Sequence, residues 1–322
     1  MKSFYRNKIQ SRFLLSLILA AVFITISHNS VFAQCPPNID FENGTCTGWT
    51  CYTGNVSAPG GVNKINLSPS AGPQFGRHTM LSATPGNGND QFGGFPQNCP
   101  NGSGHSVKLG NTTGGAQAEG VSYTFTIPAG QNEFNLIYYY AVVFQGPPHN
   151  DWEQPRLVID INNLTDGTTL NCSSFEFFYR ASNPFPGFFL SHTNGTGTPV
   201  WCKDWAATSI NLDGNAGKTF QVFFKTADCT FSAHFGYAYV DVNTECSSSF
   251  TGATFCPDDT AVIVTAPYGY QNYTWYNGLH TTILGLTQVL NLNPPPTSGD
   301  SVLVELTPYN GYGCLATLTA HL

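Results

Sequence analysis

Phe134-Asn135-Leu136-Ile137-Tyr138-Tyr139-Tyr140-Ala141-Val142-Val143-Phe144 is the stretch that decides the fold. It is rich in Val, Ile, Tyr and Phe, and Gly and Pro follow it closely at Gly146-Pro147-Pro148. Those residue types suit a pleated, packed strand, and bounded runs of this length are strand signals. Shorter runs of the same kind, with period-2 alternation or fully apolar, lie at Val121–Ile127, Leu157–Ile161, Phe175–Tyr179 and Thr219–Lys225. No window carries a helical stripe. The expected fold class is therefore all-β.

Working outward, Asn38-Ile39-Asp40-Phe41-Glu42 reads as an opening strand and Phe235 to Val242 as a closing one. Residues 52–104 and 181–200 are dense in Gly, Pro, Asn and Ser with hardly an apolar run. They read as long irregular loops, which in compact domains are functional or tied down, here by Cys51, Cys99 and Cys202. Ser247-Ser248-Ser249 begins a polar linker, 247–252. Beyond it, 253–322 forms a second, smaller β unit, with strands expected at Ala261–Thr265, Tyr270–Tyr276, Val302–Leu306 and Leu315–Thr319.

The N-terminus has the parts of an export signal over residues 1–33. Lys2, Arg6, Lys8 and Arg12 precede an apolar run from Phe13 to Ile26, and Val31-Phe32-Ala33 is a small-residue cleavage site. The run is shorter than the roughly 20 residues of a bilayer-spanning helix. The expected mature chain thus starts at Gln34, is secreted or displayed at the cell surface, and has no membrane span after cleavage. Of 12 basic residues four leave with the signal, so 8 remain against 19 acidic ones, a net charge of −11. Such a surface repels phosphate backbones, so nucleic acid is not an expected partner.

All 10 cysteines lie after the cleavage site, and an even count behind a signal peptide implies disulfides. A zinc site would want close CxxC or CxH pairs, and the chain has none. Cys256 and Cys314, the last two, are expected to pair within the C-terminal unit. Motifs of hydrolases, metalloproteases and nucleotide binders are missing, and an enzyme is not expected.

Asn38-Ile39-Asp40-Phe41-Glu42-Asn43-Gly44 with Gly48-Trp49, Ser106-Val107-Lys108-Leu109-Gly110, and the closing Tyr239-Val240-Asp241-Val242 resemble jelly-roll modules related to carbohydrate-binding modules. Together with Gln154-Pro155-Arg156, Lys203-Asp204-Trp205 and His234-Phe235-Gly236, they also resemble the N-terminal modules of adhesin-like, gliding-motility-associated proteins of Bacteroidota. The resemblance implies a jelly-roll, galactose-binding-like β-sandwich over 34–246 whose first and last segments meet. Cys256, Trp275 and Cys314 resemble the Cys…Trp…Cys pattern of an Ig-like β-sandwich over 253–322. It further implies a structural Ca²⁺ held by Glu42, Asp241 and backbone carbonyls near Asn38 and His105, since Ca²⁺ favours hard oxygen ligands.

A sugar site needs rings for stacking and charges for fixing hydroxyls. His149, Trp152, Glu153, Arg156, Lys203, Asp204, Trp205 and His234 are the candidates, with polysaccharide, a cell-surface glycan or another surface protein as partner. The alternative class is a polysaccharide-active enzyme with an accessory Ig-like domain, and a third is a structural spacer.

Overall fold

Alternation along the chain sorts side chains between two packed sheets. The structure, a computed structural model, describes residues 35–180, 185–193, 197–243, 246–256 and 258–322. The expected signal over 1–33 lies outside the described residues, and no helix among them is long and apolar enough to cross a membrane. The first region contains β1 (Trp49–Ser57), β2 (Lys64–Pro69), β3 (His78–Ser82), β4 (His105–Leu109), β5 (Gln117–Thr126), β6 (Asn135–Gln145) and β7 (Arg156–Asn163). It continues with β8 (Thr168–Thr169), β9 (Phe175–Phe178), β10 (Phe188–Leu190), β11 (Val200–Asn211), β12 (Thr219–Ala227) and β13 (Gly236–Val242).

These strands form two antiparallel sheets, so the region is an all-β jelly-roll sandwich. The first sheet runs β2-β1-β5-β12-β7, with β8 and β9 both paired to β7. The second runs β10-β11-β6-β13-β4-β3. Between them lies an aromatic core in which Phe41 stacks on Trp49 at 4.3 Å and Tyr138 meets Phe224 edge-on at 5.6 Å. In β12 the alternation is clean: Phe220, Val222 and Phe224 point inward, while Gln221, Phe223 and Lys225 are half-buried on the other side.

β6 is buried along its whole length because both of its faces are covered. Tyr138, Tyr140, Val142 and Phe144 enter the sandwich core, whereas Ile137, Tyr139, Ala141 and Val143 belong to a second core. The C-terminal residues supply the other half of that second core. They comprise β14 (Ser249–Thr251), β15 (Val262–Thr265), β16 (Asn272–Asn277), β17 (Ile283–Gly285), β18 (Val289–Leu292), β19 (Ser301–Thr307) and β20 (Ala316–His321). A sheet in the order β14-β20-β19-β16-β17 faces the β15–β18 pair across Trp275, which is fully buried. Val264, Ala266, Tyr270 and Trp275 join the outward side chains of β6, β11 and β13 in one cluster.

Ser249–Thr251, expected in a linker, pairs in parallel with β20, and Ala33–Leu322 is one compact unit. Ala207 N–H donates to the Gly269 carbonyl at 2.9 Å, and Thr208 Oγ1 donates to the Tyr312 carbonyl at 2.9 Å. The loop over 83–100 covers the rest of the same face: Trp205 Nε1 donates to the Pro96 carbonyl, and the Tyr237 and Tyr239 hydroxyls both donate to Asp90 Oδ2 at 2.7 Å.

Three expectations change. Asn38–Glu42 is a turn, not a strand, because Asn38 and Phe41 adopt left-handed φ of 57° and 61°. The Asn38 amide holds that turn by donating to the Thr45 and Thr47 carbonyls, while Phe41 drops into the core. Residues 52–104 carry most of β1 and all of β2 and β3; short polar edge strands leave little apolar signal.

The third change concerns the cysteines. Cys314 is joined to Cys172 of the first region, not to Cys256, because the turn after β19 carries Tyr312 into the sandwich mouth, where it stacks on Phe177 at 4.1 Å. Cys35–Cys246 ties the beginning of the first region to its end. Cys46, Cys51, Cys99, Cys202, Cys229 and Cys256 are unpaired thiols, where a full set of disulfides was expected.

The seam between the two units makes a direct prediction. Gly269 and Gly299 both have strongly positive φ, 96° and 93°, but an added Cβ at Gly269 would lie 2.9 Å from Ala207 N while one at Gly299 meets open space. Gly299→Ala should cost about 1–2 kcal/mol of left-handed strain alone. Gly269→Ala should cost clearly more and expose apolar surface to a reporter dye. Equal melting temperatures for the two variants would contradict the seam.

Candidate functional site

The Asp241 carboxylate is fully buried and lies near Glu42. It accepts hydrogen bonds from the Asn101 side-chain amide at 3.2 Å and the Val242 N–H at 2.8 Å, and burial pushes its carboxyl well above the usual carboxylate range. Glu42 Oε1 accepts the Ser103 hydroxyl and the Gly104 and His105 N–H groups, clamping that turn to the opening segment. Among the described residues Glu42 Oε2 accepts only Gly104 N–H, at 3.0 Å. The Asn38 carbonyl accepts Trp49 Nε1–H at 3.0 Å. Beside Asp241 lie the Asn101 amide and the Cys99 thiol, and among the described residues it has no cationic side chain as partner. The two carboxylates themselves are hard oxygen ligands.

The eight expected ligand residues do not share one surface. His149, Trp152, Glu153 and His234 gather where the loop after β6 meets the turn after β12. His149 and His234 lie 5.1 Å apart edge-on, and Thr230 N–H donates to the Glu153 carbonyl. Arg156 is buried nearby, paired with Glu176 and donating to the Asp151 carbonyl at 2.6 Å.

Lys203, Asp204 and Trp205 lie on β11 instead. Trp205 is buried in the second core, and the Lys203 ammonium sits 3.4 Å from the Tyr309 ring centroid. Lys203 is 1% exposed, and burial pulls its pKa down to about 7, against an opposing pull from Asp204.

An open surface of another kind exists on the outer face of the first sheet. Cross-strand register places Tyr52 opposite Gly120, Gly120 opposite Lys225, and Ser122 opposite Phe223, which in turn faces Asp160. The Tyr52 and Phe223 rings meet at 4.8 Å above the sheet, and the Tyr52 hydroxyl is 3.2 Å from Ser122 Oγ. Gly120 makes this possible, since a Cβ there would come within 2.8 Å of the Phe223 ring and 3.1 Å of Leu67.

Beside the rings, Lys225 Nζ pairs with Asp160 at 2.5 Å, and Gln221 and Thr124 continue the polar row. This face joins ring surface to fixed donors and acceptors, the combination that orients a polyhydroxylated ligand. The sequence reading missed these residues. The signal was present in Phe223, a large ring at an outward position of a strictly alternating strand.

No protein-family model matches the chain, and no curated protein is similar to it. Among solved structures it is similar to the module TmCBM61 in complex with beta-1,4-galactotriose, at 10% identity over 65% of this chain and 97% of that one, with a TM-score of 0.34. It is also similar to the family 11 carbohydrate-binding module from Clostridium thermocellum in complex with a beta-1,3-1,4-mixed-linked tetrasaccharide, at 8% identity, 62% and 89% coverage and a TM-score of 0.24. A third is the glycoside hydrolase domain of Endo-D from Streptococcus pneumoniae R6, at 14% identity, 68% and 34% coverage and a TM-score of 0.17. With scores this low, function rests on the side chains of this chain.

Lys203 gives a test of packing against ligand contact. A base whose pKa falls from 10.5 to about 7 on folding leaves the folded state short of a proton between those values. Stability therefore rises with pH from about 7 to 10.5, and the gain is lost progressively as pH falls back to about 7, below which this group changes nothing further. Lys203→Met should flatten that rise and raise the melting temperature at pH 7. An unchanged pH profile would contradict the burial of the ammonium.

Proposed function

We propose that the protein is a secreted, non-catalytic recognition protein that binds a neutral polysaccharide on the outer face of its first sheet. One observation carries the reading: the Tyr52–Phe223 ring pair lies beside the Lys225–Asp160 ion pair on a sheet face left open by both sandwiches. Sugar rings present apolar C–H faces to aromatic surfaces and hydroxyls to fixed polar groups. The lysine of the face is already neutralised by Asp160, and the mature chain is acidic, which together favour a neutral glycan over an anionic one. Two disulfides support an oxidising, extracellular location, and the resemblance to adhesin-like modules supports display at a cell surface.

Affinity electrophoresis against a panel of soluble neutral polysaccharides tests it. Retardation of the protein by a polymer in the gel should be relieved by Tyr52→Ala and by Phe223→Ala, each weakening binding about tenfold or more, which is about 1.4 kcal/mol. The polymer should keep its length on prolonged incubation. Unchanged retardation of the double variant would place binding elsewhere. New reducing ends, lost on replacing one carboxylate, would favour the enzyme reading, and a blank panel would favour a spacer.

A second reading concerns Ca²⁺ at Glu42 and Asp241, favoured by the buried Asp241 carboxylate that no described cationic side chain offsets. Asp241 and Glu42 Oε2 would hold the ion, which would supply the missing positive charge and brace the 103–105 turn against β13. A chelator should then lower the melting temperature, and Asp241→Ala should remove that sensitivity. A melt unchanged by chelator would contradict it.

A further inference from the structure

The corner holding His149 and His234 also holds a buried thiol. Cys229, His149 and His234 each bring one ligand-type atom to within 4.8 Å of the others. Cys229 Sγ is 3.4 Å from His234 Nδ1. His149 Nδ1 is buried with no hydrogen-bond partner among the described residues.

Backbone contacts hold the three in place. The turn from Cys229 to His234 folds back on itself: Cys229 N–H donates to the His234 carbonyl at 3.0 Å, and Ser232, at a left-handed φ of 60°, donates to the Cys229 carbonyl. On the facing loop, Gln154 Nε2 donates to the carbonyls of Pro147 and His149 at 2.8 and 3.0 Å. Thr230 N–H to the Glu153 carbonyl, at 3.1 Å, ties one loop to the other. Phe231 lies edge-on to His149 at 4.9 Å, and its ring shields the imidazole on one side.

We propose that Cys229, His149 and His234 form a binding site for a borderline-soft divalent cation of the zinc class. One thiolate and two imidazoles are ligands that zinc accepts and that calcium, with its oxygen preference, does not. Three protein ligands leave a fourth position for water. Binding takes the proton from the Cys229 thiol, which passes to solvent as the S–Zn bond forms. The site is distinct in place and chemistry from the Glu42–Asp241 pair and from the Tyr52–Phe223 face. The spacing explains why the sequence hid it: two ligands are five residues apart and the third is 80 residues upstream of Cys229.

The experiment titrates zinc sulfate alone into full-length mature protein, stripped of metal and kept free of oxygen with its disulfides intact, in competition with a chromophoric chelator. One equivalent should bind. Cys229→Ser and His234→Gln should each weaken binding by more than about 100-fold, beyond the 10–100-fold that loss of an outer-sphere partner costs. His192→Gln, an exposed histidine on another loop, should leave the affinity unchanged. Cobalt(II) in place of zinc should give a sulfur-to-metal charge-transfer band that Cys229→Ser removes.

Where Cys229→Ser does not fold, zinc should instead slow alkylation of Cys229 in the unaltered protein. The proposal is overturned by zinc affinity equal to that of Cys229→Ser, by a charge-transfer band that survives that substitution, or by alkylation indifferent to zinc. Peptide mapping of the unreduced protein that finds Cys229 in a disulfide also overturns it.

Discussion

The cover over the outer face of the second sheet governs how the two sandwiches are built. Ile137, Tyr139, Ala141 and Val143 of β6 and Trp205 of β11 form a broad apolar surface that water would penalise heavily. The C-terminal strands cover one part of it, with the Gly269 backbone lying directly against β11, and the 83–100 loop covers the other. β6 can then be apolar on both faces, which is why its sequence runs without alternation. The same arrangement decides which surface stays open. With one sheet face sealed, the outer face of the first sheet is the broad one left for a ligand.

The seal also carries buried polar groups that only make sense in its presence. Asp90 accepts two tyrosine hydroxyls and the Phe92 and Gly93 N–H groups, so a carboxylate beneath the loop is satisfied four times. Lys203 is the opposite case, since its ammonium meets a ring face where a full ion pair would offset burial better. Such groups cost stability singly, and they define which loop and which module can sit on the sheet.

Much of the fold was legible in the sequence. The runs at Val121–Ile127, Phe134–Phe144, Thr219–Lys225 and Val302–Leu306 became strands because burial on one or two faces imposes a visible period. The opening Asn38–Glu42 misled, since Ile39 and Phe41 are buried by a turn whose left-handed residues no alternation announces. β2 and β3 were hidden because edge strands hold their place by backbone pairing and carry polar side chains. The partner of Cys314 was hidden because pairing depends on where the turn after β19 inserts, a tertiary fact.

For the site, aromatic and charged residues were chosen by type, and type alone does not separate Trp205, locked in a core, from Phe223, lying on an open face. Both point away from the sandwich core, and what separates them is that the C-terminal strands and the 83–100 loop cover the face that carries Trp205. His149 and His234 were found, but as sugar contacts, because the thiol between them was counted among the disulfides.

Calorimetry on the mature chain tests most directly whether the two sandwiches share one sealed face. A single transition is expected, with calorimetric and van't Hoff enthalpies that agree, as for one cooperative unit. Two separable transitions, with residues 253–322 melting on their own, would contradict it.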